Sequence, residues 1–107
     1  MIEYLSDIEY FELAKKLATT FDDYHEIDDI GISIPKKYLD GISLNIKYHR
    51  KKDLPNYRIV RNLYITDKDC MYIDTCGIIN RSMHNDKMSK IVRKYLSSLR
   101  SQELAVR

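Results

Sequence analysis

Glycine and proline are scarce in this chain, three and two among 107 residues, while hydrophobic residues make up 44% and charged ones 32%. So few chain breakers and so much apolar material exclude a disordered or low-complexity chain, which lacks the apolar area to offset its ordering entropy. A chain of this length folds as one domain and buries roughly two thirds of the surface its unfolded form exposes, with no need of cross-links. Long apolar runs are also missing. Charge interrupts each one well before the ~20 residues a bilayer span requires. The start, "MIEYLSDIEYFE", is acidic where a secretory signal is basic. The expectation is a soluble cytoplasmic protein, or one of the host cytoplasm if phage-encoded, ordered nearly end to end.

Cysteine is equally sparse, with two residues, Cys70 and Cys76. Placed in one strand, they stand roughly 20 Å apart at about 3.3 Å per residue, against a Cα limit of about 7 Å for a disulfide. They read as reduced, half-buried thiols. Glycines 31, 41 and 77 build no phosphate loop, and no serine sits in a glycine-flanked elbow. His25, His49 and His84 fall in three separate segments without local metal-ligand spacing. The sequence therefore nominates no catalytic residue, no cofactor and no metal.

What the chain does have is an uneven distribution of charge. Residues 1–46 carry ten acids against four lysines, a balance of −6, whereas residues 47–107 carry fourteen Lys or Arg against six acids, a balance of +8. Such an asymmetry points to an anionic partner or to an acidic and a basic face on one molecule. The densest acidic run, "DDYHEIDD" at 22–29, offers carboxylates for a hard cation with His25 as a base. It lacks the spacing of a calcium loop. It reads instead as a solvated connector, extended by self-repulsion or paired with basic residues of the same or a neighbouring subunit.

Periodicity supplies the elements. Ser6 with Glu9 spells a capping box and Leu5 with Tyr10 a hydrophobic staple. Tyr10, Leu13, Ala14, Leu17, Ala18 and Phe21 then recur at helical spacing, predicting an amphipathic helix over 7–21. Ile30, Ile32 and Ile34 alternate as a strand that Pro35 confines to a sheet edge or ends. Asp40-Gly41 suits a tight hairpin turn. Ile42, Leu44, Ile46 and Tyr48 then face a core, with Ser43, Asn45, Lys47 and His49 opposite. A third strand over 57–66 places Tyr57, Ile59, Leu63 and Ile65 inward and Arg58, Val60, Asn62 and Tyr64 outward, with Arg61 unexplained on the inner parity. "CMYIDTCGII" reads as a fourth strand with Met71 and Ile73 inward and Cys70, Tyr72 and Asp74 outward. "NRSMHND" reads as a loop with Asn85 or Asp86 as N-cap. A last helix buries Met88, Ile91, Val92, Tyr95, Leu96 and Leu99 and frays over "SQELAVR". The predicted fold class is α+β: an N-terminal helix, an antiparallel sheet of three to four strands and a C-terminal helix, both helices on one sheet face.

The segment "KYHRKKDLPNYRIVRNLYI", 47–65, is the strongest positive feature. Six cations against Asp53 alone give it +5. Lys47, His49, Arg50, Lys51, Lys52, Arg58, Asn62 and Tyr64 are the partner-binding candidates there, joined by Lys87, Lys90 and Lys94 on one stripe of the last helix. Cations and rings on a sheet face suit single-stranded nucleic acid, where rings stack bases at ~1–3 kcal/mol each, and equally suit a protein, since Tyr and Arg are enriched in hot spots. They also describe an ordinary wet sheet face.

Locally, "NYRIVRNLYITDKDCMYIDTCGIINR" resembles the C-terminal hairpin of RelE-type RNA-cleaving toxins: strand, acidic turn, strand, closing on Arg81. The resemblance covers about 26 residues and implies Tyr57, Arg58, Arg61 and Arg81 as the residues to mutate if RNA is cleaved. The chain departs from that family by opening with a helix and adding a long one at its end. In general character, with fourteen isoleucines and nine tyrosines, it is similar to small accessory proteins of phages and mobile elements, anti-CRISPR inhibitors among them. The leading expectation is a non-enzymatic binding protein that inhibits or regulates a nucleic-acid-handling complex, its partner a protein or ribonucleoprotein. The alternatives are a direct nucleic-acid-binding regulator and a RelE-like ribonuclease. No membrane partner is expected, and a homodimer is left open.

Overall fold

The structure, a computed structural model, describes residues 1–22, 24–73, 77 and 79–106, giving the backbone alone at 82, 83 and 104–106. The readings that fall on Asp23, Asp74 and Cys76 lie outside the described residues. Helix α1 (Asp7–Ala18) starts where its sequence signal places it. Ser6 Oγ accepts from the Glu9 amide at 3.2 Å and Glu9 Oε1 accepts from the Ser6 amide at 2.9 Å, so two orphan donors are satisfied reciprocally. Tyr10, Leu13, Ala14, Leu17 and Ala18 are buried. The helix stops at Ala18, short of the expected Phe21, because the Thr19 and Thr20 hydroxyls donate to the Lys16 and Leu17 carbonyls at 2.6 and 2.7 Å and take up orphan acceptors of its last turn. A 3₁₀ turn at Ile2–Tyr4 precedes it. There Tyr10 donates its hydroxyl to the Ile2 carbonyl at 2.6 Å, while the Ile2 amide donates to Asp67 at 2.7 Å.

Five antiparallel strands follow, β1 (Tyr24–Ser33), β2 (Gly41–Arg50), β3 (Ile59–Thr66), β4 (Cys70–Ile73) and β5 (Ile79–His84), paired in sequence order as a meander. The fold is α+β as the sequence predicts, with five strands in place of three to four. The fifth arises because β4 is described to Ile73 and a separate β5 begins at Ile79, taking in most of "NRSMHND", read as a loop. The acidic run is likewise no connector. Its residues 24–29 begin β1, an edge strand that ends before Pro35, whose missing amide hydrogen suits a position outside the ladder. Asp40-Gly41 is not the β1–β2 turn either. Residues 34–40 make that connection, and Gly41 opens β2 where an added Cβ would collide with the Ile65 carbonyl.

Helix α2 (Asp86–Val106) follows and is helical over 101–106, most of the tail expected to fray. Asn85 is its N-cap: the side-chain oxygen accepts from the Met88 amide at 2.9 Å. Met88, Val92, Tyr95 and Leu96 are buried, with Ile91 and Leu99 half-buried, as the stripe requires. The core lies between the two helices and one sheet face, where Ile42, Leu44, Ile46, Tyr48, Leu63 and Ile65 present the predicted inner parity. The parity of β4 inverts: Cys70 belongs to this core, whereas Met71, and Ile73 packed beside it, join a small second cluster on the opposite face with Tyr64 and Ile79. The parity taken from Asp74 does not apply, since β4 ends at Ile73. Tyr57, expected inward, precedes β3 in a turn and is 55% exposed.

Candidate functional site

At the end nearest the β2–β3 turn, the ladder between β1 and β2 slips twice. Tyr24 pairs with Arg50 but Glu26 with His49, and Ile27 pairs with Tyr48 but Asp29 with Lys47, so His25 and Asp28 are the extra residues of two β-bulges. In a regular strand, neighbouring side chains point to opposite faces; a bulge re-aims one of them. Both extra residues converge on His49. The His25 and His49 rings meet edge to face with centroids 5.3 Å apart, and both Asp28 oxygens lie 3.1 Å from His49 Nδ1. Glu26 Oε2 stands 4.0 Å from His49 Nε2. Ligand atoms of His25, Glu26 and His49 all lie within 4.8 Å of one another. Two of the three histidines that sequence spacing keeps apart, His25 and His49, are thus neighbours in space, and with Glu26 they are where a metal could be held.

The basic candidates of 47–64 differ in what they are free to do. Arg58 Nε lies 2.6 Å from Asp28 Oδ2 in an ion pair, and its Nη1 donates to the Pro55 carbonyl at the same distance. Arg50 is clamped on Asp53 through Nε and Nη2, at 3.1 and 2.9 Å. Asn62 accepts from Asn45 at 2.5 Å. Lys47, Lys51 and Lys52 are exposed. Tyr64 is the correction among them. Its parity is outward as predicted, yet it is fully buried, because Tyr38 from the β1–β2 connection, Met71 from β4 and Ile79 from β5 cover that corner of the outer face. It cannot meet a partner in this state.

The Tyr64 hydroxyl donates to Asp40, and Arg81 grips the same carboxylate with Nη1 and Nη2. Hydrogen bonds from Arg81 first, then from Tyr64, hold the Asp40 carboxyl well below the usual carboxylate range. Burial, aided by the Asp40 anion, pushes the Tyr64 hydroxyl up to about 12. Arg61, unexplained by parity, sits on the helix-covered face and donates from Nε to the Tyr48 hydroxyl at 3.3 Å. The four residues implied by the toxin resemblance are not gathered. Arg81 stacks over the Tyr64 ring at 5.4 Å, whereas Arg58 lies six residues upstream, roughly 20 Å along the strand.

On the helical layer, Lys87, Lys90 and Lys94 are exposed along α2. Lys94 lines a groove of about 340 Å³ between the helices, shared with Lys16 and Thr19 of the α1 end and Ile91, Tyr95 and Ser98 of α2. Lys16 Nζ lies 5.9 Å above the Tyr95 ring. Tyr95 anchors the groove floor by donating to Glu12 Oε2 at 2.9 Å. Sequence reasoning missed one feature here: Ile8 and Phe11, outside the core stripe of α1, are 73% and 38% exposed. Their spacing from Lys15 carried that signal, and Lys15 Nζ stands 5.7 Å over the Phe11 ring. No helix among the described residues is long and apolar enough to cross a membrane. Compared with family models, curated proteins and solved structures, the chain matches none of them.

Proposed function

We propose that the protein is a non-enzymatic binding module that inhibits or regulates a nucleic-acid-handling complex, docking through its helical layer. The observation that carries this reading is the exposed lysine series Lys87, Lys90 and Lys94, continued across the inter-helix groove by Lys16. Lysines three and four apart share one helix face, and this row presents exposed positive charge. On the sheet, by contrast, Arg50 and Arg58 are already neutralised by Asp53 and Asp28. Lys47, Lys51, Lys52 and Asn62 form a secondary contact region of the same module. A small phage or mobile-element accessory protein of anti-CRISPR-like type, acting in the host cytoplasm, fits this description.

A protein or ribonucleoprotein target is favoured over naked nucleic acid by the exposed Ile8 and Phe11 on the same layer, since apolar side chains beside cations match protein hot spots. Direct nucleic-acid binding is the second reading, supported by the lysine row alone. A pull-down from the host, followed by fluorescence titration of DNA and RNA at two salt concentrations, separates them. A stoichiometric protein partner without nucleic-acid binding supports the first. Affinity for nucleic acid that falls steeply with salt replaces it with the second.

A further inference from the structure

We infer that His25, Glu26 and His49 form a binding site for a divalent transition-metal ion of the zinc class. The donor set decides the class. Two imidazoles and one carboxylate suit zinc and its neighbours, whereas magnesium and calcium require oxygen ligands throughout. The spacing is close to what the ion needs. Tetrahedral bonds of 2.0–2.1 Å put ligand atoms about 3.3 Å apart, and His49 Nε2 and Glu26 Oε2 are at 4.0 Å, a gap that one χ adjustment of an exposed Glu26 closes.

Three further observations point the same way. Both β-bulges place their extra residue on His49, so the backbone departs from regular pairing twice in five residues where these side chains converge. Asp28 accepts at His49 Nδ1, at 3.1 Å. A carboxylate only accepts there, so Nδ1 is the nitrogen engaged by Asp28 and Nε2, on the Glu26 side of the ring, is the one left to bind an ion. This is the outer-shell arrangement that orients metal-bound histidines. Arg58 Nε pairs with the same Asp28 carboxylate at 2.6 Å, so the orienting group is itself held. Three protein ligands leave a fourth position for water or for a donor from a bound partner. This site lies on the sheet edge and does not depend on the docking role of the helical layer.

The test is titration of the full chain with zinc chloride against a chromophoric chelator, paired with the visible spectrum of the cobalt(II) form. One equivalent of zinc per chain is expected, with the absorption of tetrahedral cobalt. His25→Ala and His49→Gln each abolish it, and Asp28→Asn weakens it about 10–100-fold. His84→Ala, which removes the third histidine, leaves it unchanged. Circular dichroism of each variant establishes that the sheet is intact, and His25, exposed at the strand edge, provides the variant least able to disturb folding. No saturable binding at micromolar zinc overturns the proposal. So does binding that survives the His25→Ala/His49→Gln double variant, which marks an adventitious ion only.

Discussion

Arg81 on β5 closes on Asp40 with two parallel hydrogen bonds, 2.7 and 2.8 Å, joining the last strand of the sheet to the residue that leads into β2. Residues 41 positions apart are thereby tied, and the Tyr64 ring beneath them is sealed. Both charged side chains are about half exposed, 47% and 54%, so solvent screens the pair and its own contribution is small. The hydroxyl of Tyr64 is the costlier member, because it is buried and depends on Asp40.

Stability should therefore bend at both ends of the pH scale. Asp40 has its folded-state pKa depressed, so its contribution is complete above the unfolded value of about 4 and is lost as pH falls below it. Tyr64 is the opposite case: raised to about 12, it contributes fully below its unfolded value of about 10 and loses that contribution as pH climbs through the folded one. Urea denaturation across pH reads both limbs. Asp40→Asn should flatten the acid limb, and Tyr64→Phe should cost about 0.5–1.5 kcal/mol at neutral pH while softening the alkaline one. An acid limb unchanged in Asp40→Asn contradicts this.

The two strand glycines should separate cleanly. A Cβ at Gly41 meets the Ile65 carbonyl, backbone that cannot step aside, whereas at Gly31 the nearest atom is Asn45 Cβ at 3.7 Å, an ordinary contact. Gly41→Ala should lose about 1–3 kcal/mol through displaced backbone, and Gly31→Ala should be neutral or slightly stabilising. Equal melting temperatures for the two variants would refute the close approach.

Ser89 is a small residue with a large task. Buried in the first turn of α2, its hydroxyl accepts from the Cys70 amide at 2.8 Å and lies 3.3 Å from the Cys70 carbonyl. Ser89→Ala leaves a buried amide at the start of β4 without its partner and should cost about 1–3 kcal/mol. Hydrogen exchange at residue 70 should accelerate more than at Leu63. Uniform acceleration would mean global destabilisation only.

Cys70 is fully buried and desolvation pushes its thiol up to about 12. The thiolate is the reacting form, so position 70 should resist iodoacetamide in the folded chain and react on unfolding in urea. Peptide mass spectrometry of the alkylation at residue 70, with and without urea, reads this directly; rapid labelling of the native protein would contradict it.

How much of this was legible depends on how regular the backbone is. Helix α1 and its capping box, the α2 stripe and the alternation of Ile42 to Tyr48 were readable because uninterrupted periodicity reports burial on one face. The acidic opening of β1 was unreadable for the converse reason: two bulges in five residues erase the period of two, and with it the convergence of His25 and Asp28 on His49. Strand β5 was hidden by its polar residues Asn80 and Arg81, which an edge strand tolerates and a loop also carries. Tyr64 shows the limit of parity. Its face was read correctly, but a residue from a distant connection, Tyr38, covers that face, and sequence period carries no information about such a lid.

The central claim is that the α2 lysine face, more than the basic strands, engages the partner. Its direct measurement is a pull-down from cell lysate with the wild-type chain, with a Lys87→Glu/Lys90→Glu/Lys94→Glu variant and with a Lys47→Glu/Lys51→Glu variant, each at matched melting temperature. The account predicts a stoichiometric partner retained by the wild type, lost from the α2 variant and kept by the strand variant; retention by the α2 variant with loss from the strand variant would contradict it.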